Sequence, residues 1–154
     1  MTAGAASAPL RTREQFDFVM RAPLEAAWPL FGAQAERAWA PGWDPQFVWP
    51  VEPVDQEGMV FKVVQGGRTA VWVNTALDPA ANRIQYVYVI PDLMVTVISL
   101  RLAPAGRSTH VGVTYERTAL GGSANELVRD MAQQDKVAGE EWSRQIHLYL
   151  QTSR

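Results

Sequence analysis

The sequence predicts an α+β fold in which a curved antiparallel sheet of about seven strands wraps against one long C-terminal helix, with two short helices between the first two strands. Three observations indicate this fold. The alternating segment 15–20 is followed by two short helical segments. About six strand-like segments come next, and the turns between them are too short for crossover helices, so neighbouring strands must pair antiparallel. The amphipathic segment 123–150 closes the chain.

The first strand and the two short helices follow from residue spacing and from the positions of the prolines. Phe16 and Phe18 share one face of the first strand, which is the alternation of a half-buried strand. Pro23 suits the first turn of a helix, where its missing N–H has no partner in any case, so we predict a helix over residues 24–31. A second helix is predicted over residues 33–39, and it ends before a Pro-Gly pair.

Turn sequences divide the middle of the chain into strands. The pair Gly66-Gly67 permits positive φ angles and therefore predicts a tight hairpin. Prolines flank the first of these strands, which indicates an edge strand. The predicted strands cover residues 46–50, 59–64, 69–76, 83–90, 93–102 and 109–120.

The C-terminal segment has the features of one long helix. Ser123 and Glu126 form a capping-box pattern at its start. Mostly apolar side chains recur at helical spacing along one face. Gly139 interrupts this segment, and it indicates either close packing against the sheet or space left for a ligand. The residues that define the face are Leu127, Met131, Gln134, Ala138, Trp142, Ile146 and Tyr149.

Length, charge and composition limit the classes of function. The chain has 154 residues, which suits one domain, and we place this domain at residues 14–152 after a disordered tail at residues 1–13. The net charge of −2 is spread along the chain, which argues against nucleic-acid binding. The sequence has no cysteine, no apolar run as long as a membrane span and no signal-peptide pattern, so we expect a cytoplasmic protein.

Several short segments resemble a known superfamily. Residues 18–28 contain the pattern Ala-Pro-x-Glu-x-x-Trp, and residues 36–43, 58–61 and 109–120 add to the likeness, which extends over residues 16–150. Together with the order of elements, they resemble the START-like superfamily, also called SRPBCC, whose fold is the helix-grip. Its members include birch-pollen-allergen-like proteins, lipid-transfer domains and polyketide cyclases or dehydrases, and they share no catalytic set. The resemblance therefore implies a helix-grip fold with a deep apolar cavity between sheet and helix, but no particular activity.

Alternation along the strands predicts which side chains face this cavity. The parity of the last strand points Val113, Tyr115 and Arg117 inward. The tyrosines of the strand 83–90 are preferred on the inner face. The predicted lining consists of Trp72, Tyr86, Tyr88, Thr96, Ile98, Val113, Tyr115, Arg117, Met131, Gln134, Asp135, Ala138 and Trp142, with Trp39 and Trp43 as a lid.

Each of these assignments has a structural alternative. The tyrosine hydroxyls orient a ligand or bond a backbone carbonyl. Trp72 and Trp142 clamp a flat ligand or belong to the core. Arg117 binds a ligand carboxylate at the cavity mouth or pairs with Glu36 or Asp135. The Pro-Gly segment between Trp39 and Trp43 either closes the cavity as a lid or forms a rigid corner.

Motifs for metal or covalent chemistry are missing from the sequence. His110 and His147 are the only histidines, and neither has a metal-spaced partner, so we predict no metal site. No phosphate-cradling glycine loop precedes a helix, and no cofactor is predicted. The ordinary interpretation of the remaining acid–base candidates is a solvated or ion-paired carboxylate. These candidates are Glu36, Asp44, Glu116 and Asp135.

Three functions fit these observations. The first is a non-enzymatic domain that binds or transports a small hydrophobic molecule of lipid, polyketide or isoprenoid type. The second is an enzyme of the cyclase or dehydratase kind, in which cavity Tyr and Arg groups polarise a carbonyl. The third is an interaction module that docks a partner, or a second copy as a homodimer, and it is indicated by the outward-facing Val95 and Val97.

Overall fold

A computed structural model describes residues 7–153, in which seven antiparallel strands form a single sheet. The strands are β1 (Arg11–Met20), β2 (Gln46–Trp49), β3 (Val60–Gln65), β4 (Arg68–Asp78), β5 (Arg83–Ile90), β6 (Met94–Ala105) and β7 (Ser108–Ala119). Their order across the sheet is β1-β7-β6-β5-β4-β3-β2, so the N-terminal strand lies beside the last one and every other pairing joins neighbours in sequence. Gly66 and Gly67 adopt φ angles of 56° and 77° at the predicted β3–β4 hairpin.

One long helix and several short ones complete the fold. The helical segments are α1 (Leu24–Ala27), 3₁₀ helices at Trp28–Phe31, Ala35–Ala38 and Gly122–Ala124, and α2 (Asn125–Thr152). The predicted α+β fold is confirmed: a curved seven-stranded antiparallel sheet, short helices between its first two strands and a long C-terminal helix. Among the described residues, no helix combines the length and the apolar character needed to cross a membrane.

Both predicted short helices are shorter than expected. Of the first, over residues 24–31, only Leu24–Ala27 is α-helical, and the chain tightens into 3₁₀ geometry at Trp28–Phe31. Pro29 explains the change, because it has no N–H to donate to the carbonyl one turn earlier. The second, over residues 33–39, is a single 3₁₀ turn at Ala35–Ala38.

The N-terminal strand begins earlier than predicted. Residues 11–13 lie in β1 and pair with β7, so the prediction of a disordered tail over residues 1–13 is wrong for this part of it. The edge of β7 supplies backbone partners there, and Glu116 contacts Arg11 at 3.5 Å and Arg13 at 3.4 Å. Residues 1–6 of the predicted tail lie outside the described residues.

A bridge to the N-terminal segment, rather than the predicted capping box, fixes the start of α2. Ser123 lies within a 3₁₀ helix, and no side chain caps the first turn of α2. Asn125 instead accepts a hydrogen bond from the Leu10 N–H at 2.7 Å and donates one to the Ala8 carbonyl at 2.8 Å. The segment before β1 is therefore tied to the C-terminal helix.

Helix α2 approaches β1 most closely at Gly139. A Cβ atom added there would lie 2.8 Å from Cδ2 and 3.2 Å from Cβ of Phe16. The Phe16 ring is itself buried, and it meets Trp142 edge-on with the ring centroids 5.4 Å apart. Of the two interpretations of Gly139, close packing against the sheet is therefore correct.

Substitution of Gly139 by alanine should destabilise the fold although alanine favours helices. Overpacking a filled core costs about 1–3 kcal/mol, whereas alanine gains about 1 kcal/mol over glycine within a helix. Thermal unfolding followed by circular dichroism should show a lower midpoint for Gly139→Ala. The neighbouring exposed variant Glu140→Ala should change the midpoint little. A midpoint that Gly139→Ala leaves unchanged or raises would contradict close contact between α2 and β1.

Candidate functional site

A cavity of about 390 Å³ lies between the sheet, the tryptophan corner (residues 39–43) and α2. Nine of the predicted lining residues reach it: Trp72, Tyr86, Tyr88, Ile98, Tyr115, Arg117, Met131, Gln134 and Trp142. The predicted lid residues, Trp39 and Trp43, line it as well. Lining residues that were not predicted are Glu36, Ala40, Pro41, Gln65, Leu100, Glu141 and Gln145.

Four predicted lining residues lie behind the cavity surface. Thr96 and Asp135 are buried against the guanidinium of Arg117. Val113 is fully buried in the core, and Ala138 packs on the core from α2. Strand parity assigns a side chain to the correct face of the sheet, but it does not say which side chain a neighbour covers.

Stacked aromatic rings form one wall of the cavity. Trp72 of β4 stacks on Tyr88 of β5, with centroids 4.4 Å apart and an interplanar angle of 23°. Phe61 stacks on Trp72 at 5.6 Å, and Trp43 meets it edge-on at 5.3 Å. The indole N–H of Trp72 donates to Gln65 Oε1 at 3.0 Å. Packing and this hydrogen bond therefore hold the indole in one orientation toward the cavity.

The tryptophan corner is tied down at both of its indoles. The N–H of Trp39 donates to the Leu30 carbonyl and that of Trp43 to the Ala33 carbonyl, each at 2.7 Å. Gly42 between them has a φ of 75°, a conformation that residues with side chains rarely adopt. These bonds support the rigid-corner interpretation of this segment, and the lid stays a prediction.

A buried ion pair connects β7 to α2 beside the cavity. Arg117 and Asp135 are 4% and 5% exposed and share two hydrogen bonds, of 2.7 and 2.8 Å. Arg117 Nη1 also donates to Thr96 Oγ1 at 3.1 Å and to the Tyr88 hydroxyl. Burial alone lowers the pKa of Arg117, but the bonds to Asp135 and the nearby Tyr88 outweigh it, so the pKa lies above its ordinary value. Asp135 is thus the correct one of the two predicted protein partners, and it neutralises the charge of Arg117.

The three tyrosine hydroxyls of the cavity differ in their partners. Tyr86 donates to the Phe31 carbonyl at 2.8 Å, and Tyr88 accepts from Arg117. The Tyr115 hydroxyl has no hydrogen-bond partner within residues 7–153, while its ring centroid lies 4.9 Å from the Arg117 guanidinium carbon. Burial raises the pKa of Tyr115 above its ordinary value, so the hydroxyl stays neutral and is available as a donor.

Glu36 is one of two acidic residues that line the cavity without having been predicted there, the other being Glu141 at its mouth. Glu36 lines the cavity from the 3₁₀ helix Ala35–Ala38, and no hydrogen bond reaches its carboxyl from the described part of the chain. Burial, followed by the charge of Asp55, raises the pKa of Glu36 well above its ordinary value. One sequence signal existed, because Glu36 and Trp39 are three residues apart and therefore share a helical face.

Asp55 positions the helix that carries Glu36. Its two carboxylate oxygens accept hydrogen bonds from the N–H groups of Gln34 at 2.8 Å and Ala35 at 3.1 Å, so a distant loop caps this turn. Gly32 permits the approach, because a Cβ atom at Gly32 would lie 2.0 Å from Asp55 Oδ2. The place of Glu36 thus depends on a long-range contact that no local pattern predicts.

Exposed lining residues mark the mouth of the cavity. Pro41, Gln134 and Glu141 line the cavity and are exposed. Glu141 is paired with Arg144, and the hydrogen bond from Arg144, followed by that from Gln145, lowers the pKa of Glu141. A ligand that enters therefore passes a polar rim before it meets the aromatic walls.

A second, larger groove of about 640 Å³ runs between β1 and α2, but it is open to solvent. Arg21, Lys136 and Glu140 are among its lining residues. Sites for apolar molecules are concave and enclosing, so the smaller cavity is the candidate site. Within residues 7–153, no group of three or more His, Cys, Asp or Glu side chains is arranged to hold a metal ion.

Solved structures with this architecture are similar along almost the whole chain. Truncated norcoclaurine synthase from Thalictrum flavum has a TM-score of 0.70 at 8% identity, over 96% of this chain and 98% of that chain. The same enzyme in complex with dopamine and hydroxybenzaldehyde has a TM-score of 0.65 at 11% identity, over 94% and 89%. CalU16 from Micromonospora echinospora has a TM-score of 0.62 at 16% identity, over 94% and 84%.

These similarities concern the fold. No protein-family model matches the chain, and no curated protein is similar to it in sequence. At 8–16% identity the solved structures carry no information on activity. They do confirm the helix-grip fold that the resemblance implied, because the order of elements and the single antiparallel sheet match along almost the whole chain.

Removal of one member of the buried ion pair should destabilise the protein strongly. Asp135→Asn leaves the Arg117 guanidinium buried without a counter-charge, at a cost of about 3–5 kcal/mol. Asp44→Asn, which breaks the exposed pair with Arg37, should cost less than about 1 kcal/mol in the same urea unfolding experiment. The double variant Arg117→Met, Asp135→Leu should recover much of the loss, because no charge stays buried. A small effect of Asp135→Asn on the free energy of unfolding would contradict this prediction, because it would mean that water reaches the pair.

Ionisation of Glu36 should lower the stability as the pH rises. Because its pKa is higher in the folded chain, the free energy of unfolding should fall as the pH increases from the unfolded pKa of about 4.3 through the raised folded value. Glu36→Gln should remove this fall and exceed the wild type in stability at neutral pH, by about 1.4 kcal/mol for each unit of the shift.

Urea unfolding of both proteins at about pH 4 and about pH 8 measures this difference. Glu25→Gln, an equal charge change at an exposed position of α1, should follow the wild type at both pH values. Identical pH profiles for the wild type and Glu36→Gln would contradict a raised pKa at Glu36.

Proposed function

We propose that this protein binds a small, apolar and at least partly planar molecule in the cavity between the sheet and α2. The observation that carries the proposal is the wall of the cavity, which four indoles and three tyrosine rings form around a volume of about 390 Å³. Enclosed sites of about 300–1,000 Å³ with mostly apolar walls and a few polar groups are typical of small-molecule binding. The tryptophans concerned are Trp39, Trp43, Trp72 and Trp142.

The similar solved structures support a ligand of this size. Norcoclaurine synthase, which shares the fold, is described in complex with dopamine and hydroxybenzaldehyde, two small aromatic molecules. A fragment of a polyketide, an isoprenoid or a lipid also has an apolar body. Packing and hydrogen bonds hold the aromatic rings of the lining in place, and such fixed, flat groups favour a planar body over a flexible chain.

A second candidate is an enzyme of the cyclase or dehydratase kind. Glu36 and the Tyr115 hydroxyl line the cavity without protein hydrogen bonds, and a raised pKa keeps Glu36 protonated at higher pH than usual, as a general acid requires. Tyr86, Tyr88 and Arg117 are engaged with protein partners, which weakens their predicted role in polarising a carbonyl. The retention time and mass of the ligand recovered from the protein separate the candidates. A carrier returns it unchanged, a cyclase returns an isomer of the same mass, and a dehydratase returns it without one water.

Three further expectations stay predictions. Val95 and Val97 lie on the outer face of β6 and are partly exposed, as docking of a partner requires. A homodimer would use such a surface or a sheet edge, and sedimentation velocity measures the oligomeric state. A cytoplasmic location is proposed from the sequence, and fractionation of cells measures it.

Filling the cavity should abolish binding. Ala40 lines the cavity, so Ala40→Phe places a ring inside it, whereas Ala38→Phe adds the same ring at an exposed position two residues earlier. The probe is N-phenylnaphthylamine, a neutral aromatic dye whose fluorescence rises in apolar surroundings. The wild type and Ala38→Phe should bind it saturably, and Ala40→Phe should bind it at least about tenfold more weakly. Equal affinity in all three folded proteins would place the dye elsewhere and contradict the proposal.

A further inference from the structure

The charges that line the cavity do not cancel. Among the described residues, Arg117 is the one basic side chain in the lining. Its Nε and Nη2 atoms donate to the two carboxylate oxygens of Asp135. Glu36 and Glu141 are the acidic lining residues. Glu141 sits at the mouth and pairs with Arg144, so Glu36 is the charge inside that has no counter-ion. The interior is therefore neutral when Glu36 is protonated and negative when it is ionised.

No hydrogen bond or ion pair joins the Glu36 carboxyl to a positive group within residues 7–153. The charge that acts on Glu36 is the carboxylate of Asp55, which accepts hydrogen bonds from the backbone N–H groups of Gln34 and Ala35. Tyr86 and Tyr115 also lie in its field, and both are neutral hydroxyls. A carboxylate in an apolar cavity without a counter-charge is costly. A positive charge brought in by the ligand would remove that cost.

The walls near Glu36 suit a cation as well. Trp39 is one helical turn further along the chain, and its ring centroid lies 5.5 Å from that of Trp142. Trp43 also lines the cavity and meets Trp72 edge-on at 5.3 Å, whereas Phe61 and Tyr88 stack on Trp72 itself. Indole is the aromatic group that attracts a cation most strongly, through the negative potential of its face. A carboxylate and several indoles that line one cavity are groups that recognise a positively charged nitrogen.

We propose that the cavity selects organic cations, in which a positively charged nitrogen sits against the Glu36 carboxylate and the neighbouring indoles while an apolar body fills the rest. The inference rests on the proposed function, that the cavity holds a small apolar molecule, and adds the charge of that molecule. Arg117 does not oppose it, because Asp135 neutralises the guanidinium and the Tyr115 ring covers it.

Three ligands that share one aromatic body and differ in the charged or neutral group at the end of the arm test the proposal. Each carries one naphthalene ring and the same short arm, which ends in a trimethylammonium group, in its neutral isostere tert-butyl, or in a carboxylate. Isothermal titration calorimetry at about pH 8 should show the cation binding at least about tenfold more tightly than the neutral ligand. The carboxylate should bind most weakly, because it meets Glu36 and cannot displace Asp135 from Arg117.

The variant Glu36→Gln isolates the residue responsible. It should reduce the preference for the cation over the neutral ligand to about twofold or less, mainly by weakening the binding of the cation. Glu25→Gln removes the same charge from an exposed position of α1, outside the cavity, and should keep the full preference. This control separates the local contact from the effect of net charge.

A pH series on the wild type supplies the same information without a variant. Because trimethylammonium does not titrate, the affinity for the cation should rise with pH as Glu36 ionises, while the affinity for the neutral ligand should stay level or fall. The other ionisable groups around the cavity are Asp55, Asp135, Glu141, Arg117, Tyr86, Tyr88 and Tyr115. The pKa values of Tyr86, Tyr115 and Arg117 are raised above their ordinary values, so these three groups do not titrate between about pH 4 and about pH 8.

The outcomes distinguish this inference from the proposed function. Equal affinity for the cation and the neutral ligand, with no effect of Glu36→Gln or pH, would overturn the inference and leave the cavity a site for uncharged molecules. Tightest binding of the carboxylate would overturn it in favour of Arg117 as the recognition group. Binding by none of the three would contradict the proposed function and this inference with it.

Discussion

The buried pair of Arg117 and Asp135 sets how the long helix stands against the sheet. Helix α2 presents two inward stripes, of which one is packed on the sheet and includes Asp135 and Gly139, one turn apart. The other stripe faces the cavity and contains Met131, Gln134, Trp142 and Gln145. The first stripe is held by direct contact at Gly139 and by the long side chain of Arg117, which extends from β7 to Asp135. The second stripe is therefore kept apart from β4 and β5.

The same pair determines the chemistry of the cavity. Burying two charges costs desolvation free energy, which is offset when the geometry is bidentate and the remaining donors are bonded. Arg117 meets this condition through Asp135, Thr96 and Tyr88, which accept from four of its five N–H groups, so its charge is balanced within the protein. The charge left over is that of Glu36. Asp55 holds the turn that carries Glu36, and Gly32 permits this close approach. The site is therefore an aromatic enclosure with one unbalanced acid.

Local patterns predicted the sheet and its inner face well. Hairpin turns imposed antiparallel neighbours, and alternation placed Tyr86, Tyr88 and Tyr115 inward. Even the choice between alternatives at Gly139 was correctly framed, although only the position of Phe16 decided it. Local patterns give only the direction in which a side chain points from its own strand or helix.

Contacts between distant segments account for the rest. The early start of β1 depends on the free edge of β7, and the bridge from Asn125 to residues 8–10 depends on where that strand ends. Glu36 was not predicted to line the cavity, because its position depends on Asp55, which caps the turn from a loop that has no sequence pattern of its own. Thr96 and Asp135 were assigned to the right face, but Arg117 covers them.

The location of a bound molecule is the most direct test of the central claim, that the space between α2 and the sheet is the binding site. Intermolecular NOEs from a bound neutral aromatic dye to methyl-labelled protein measure it. The account predicts NOEs to the methyl groups of Met131 on α2 and of Ile98 and Leu100 on β6, which line the cavity from its two sides. NOEs confined to Val137 and Leu148, which line the open groove beside β1, would contradict it.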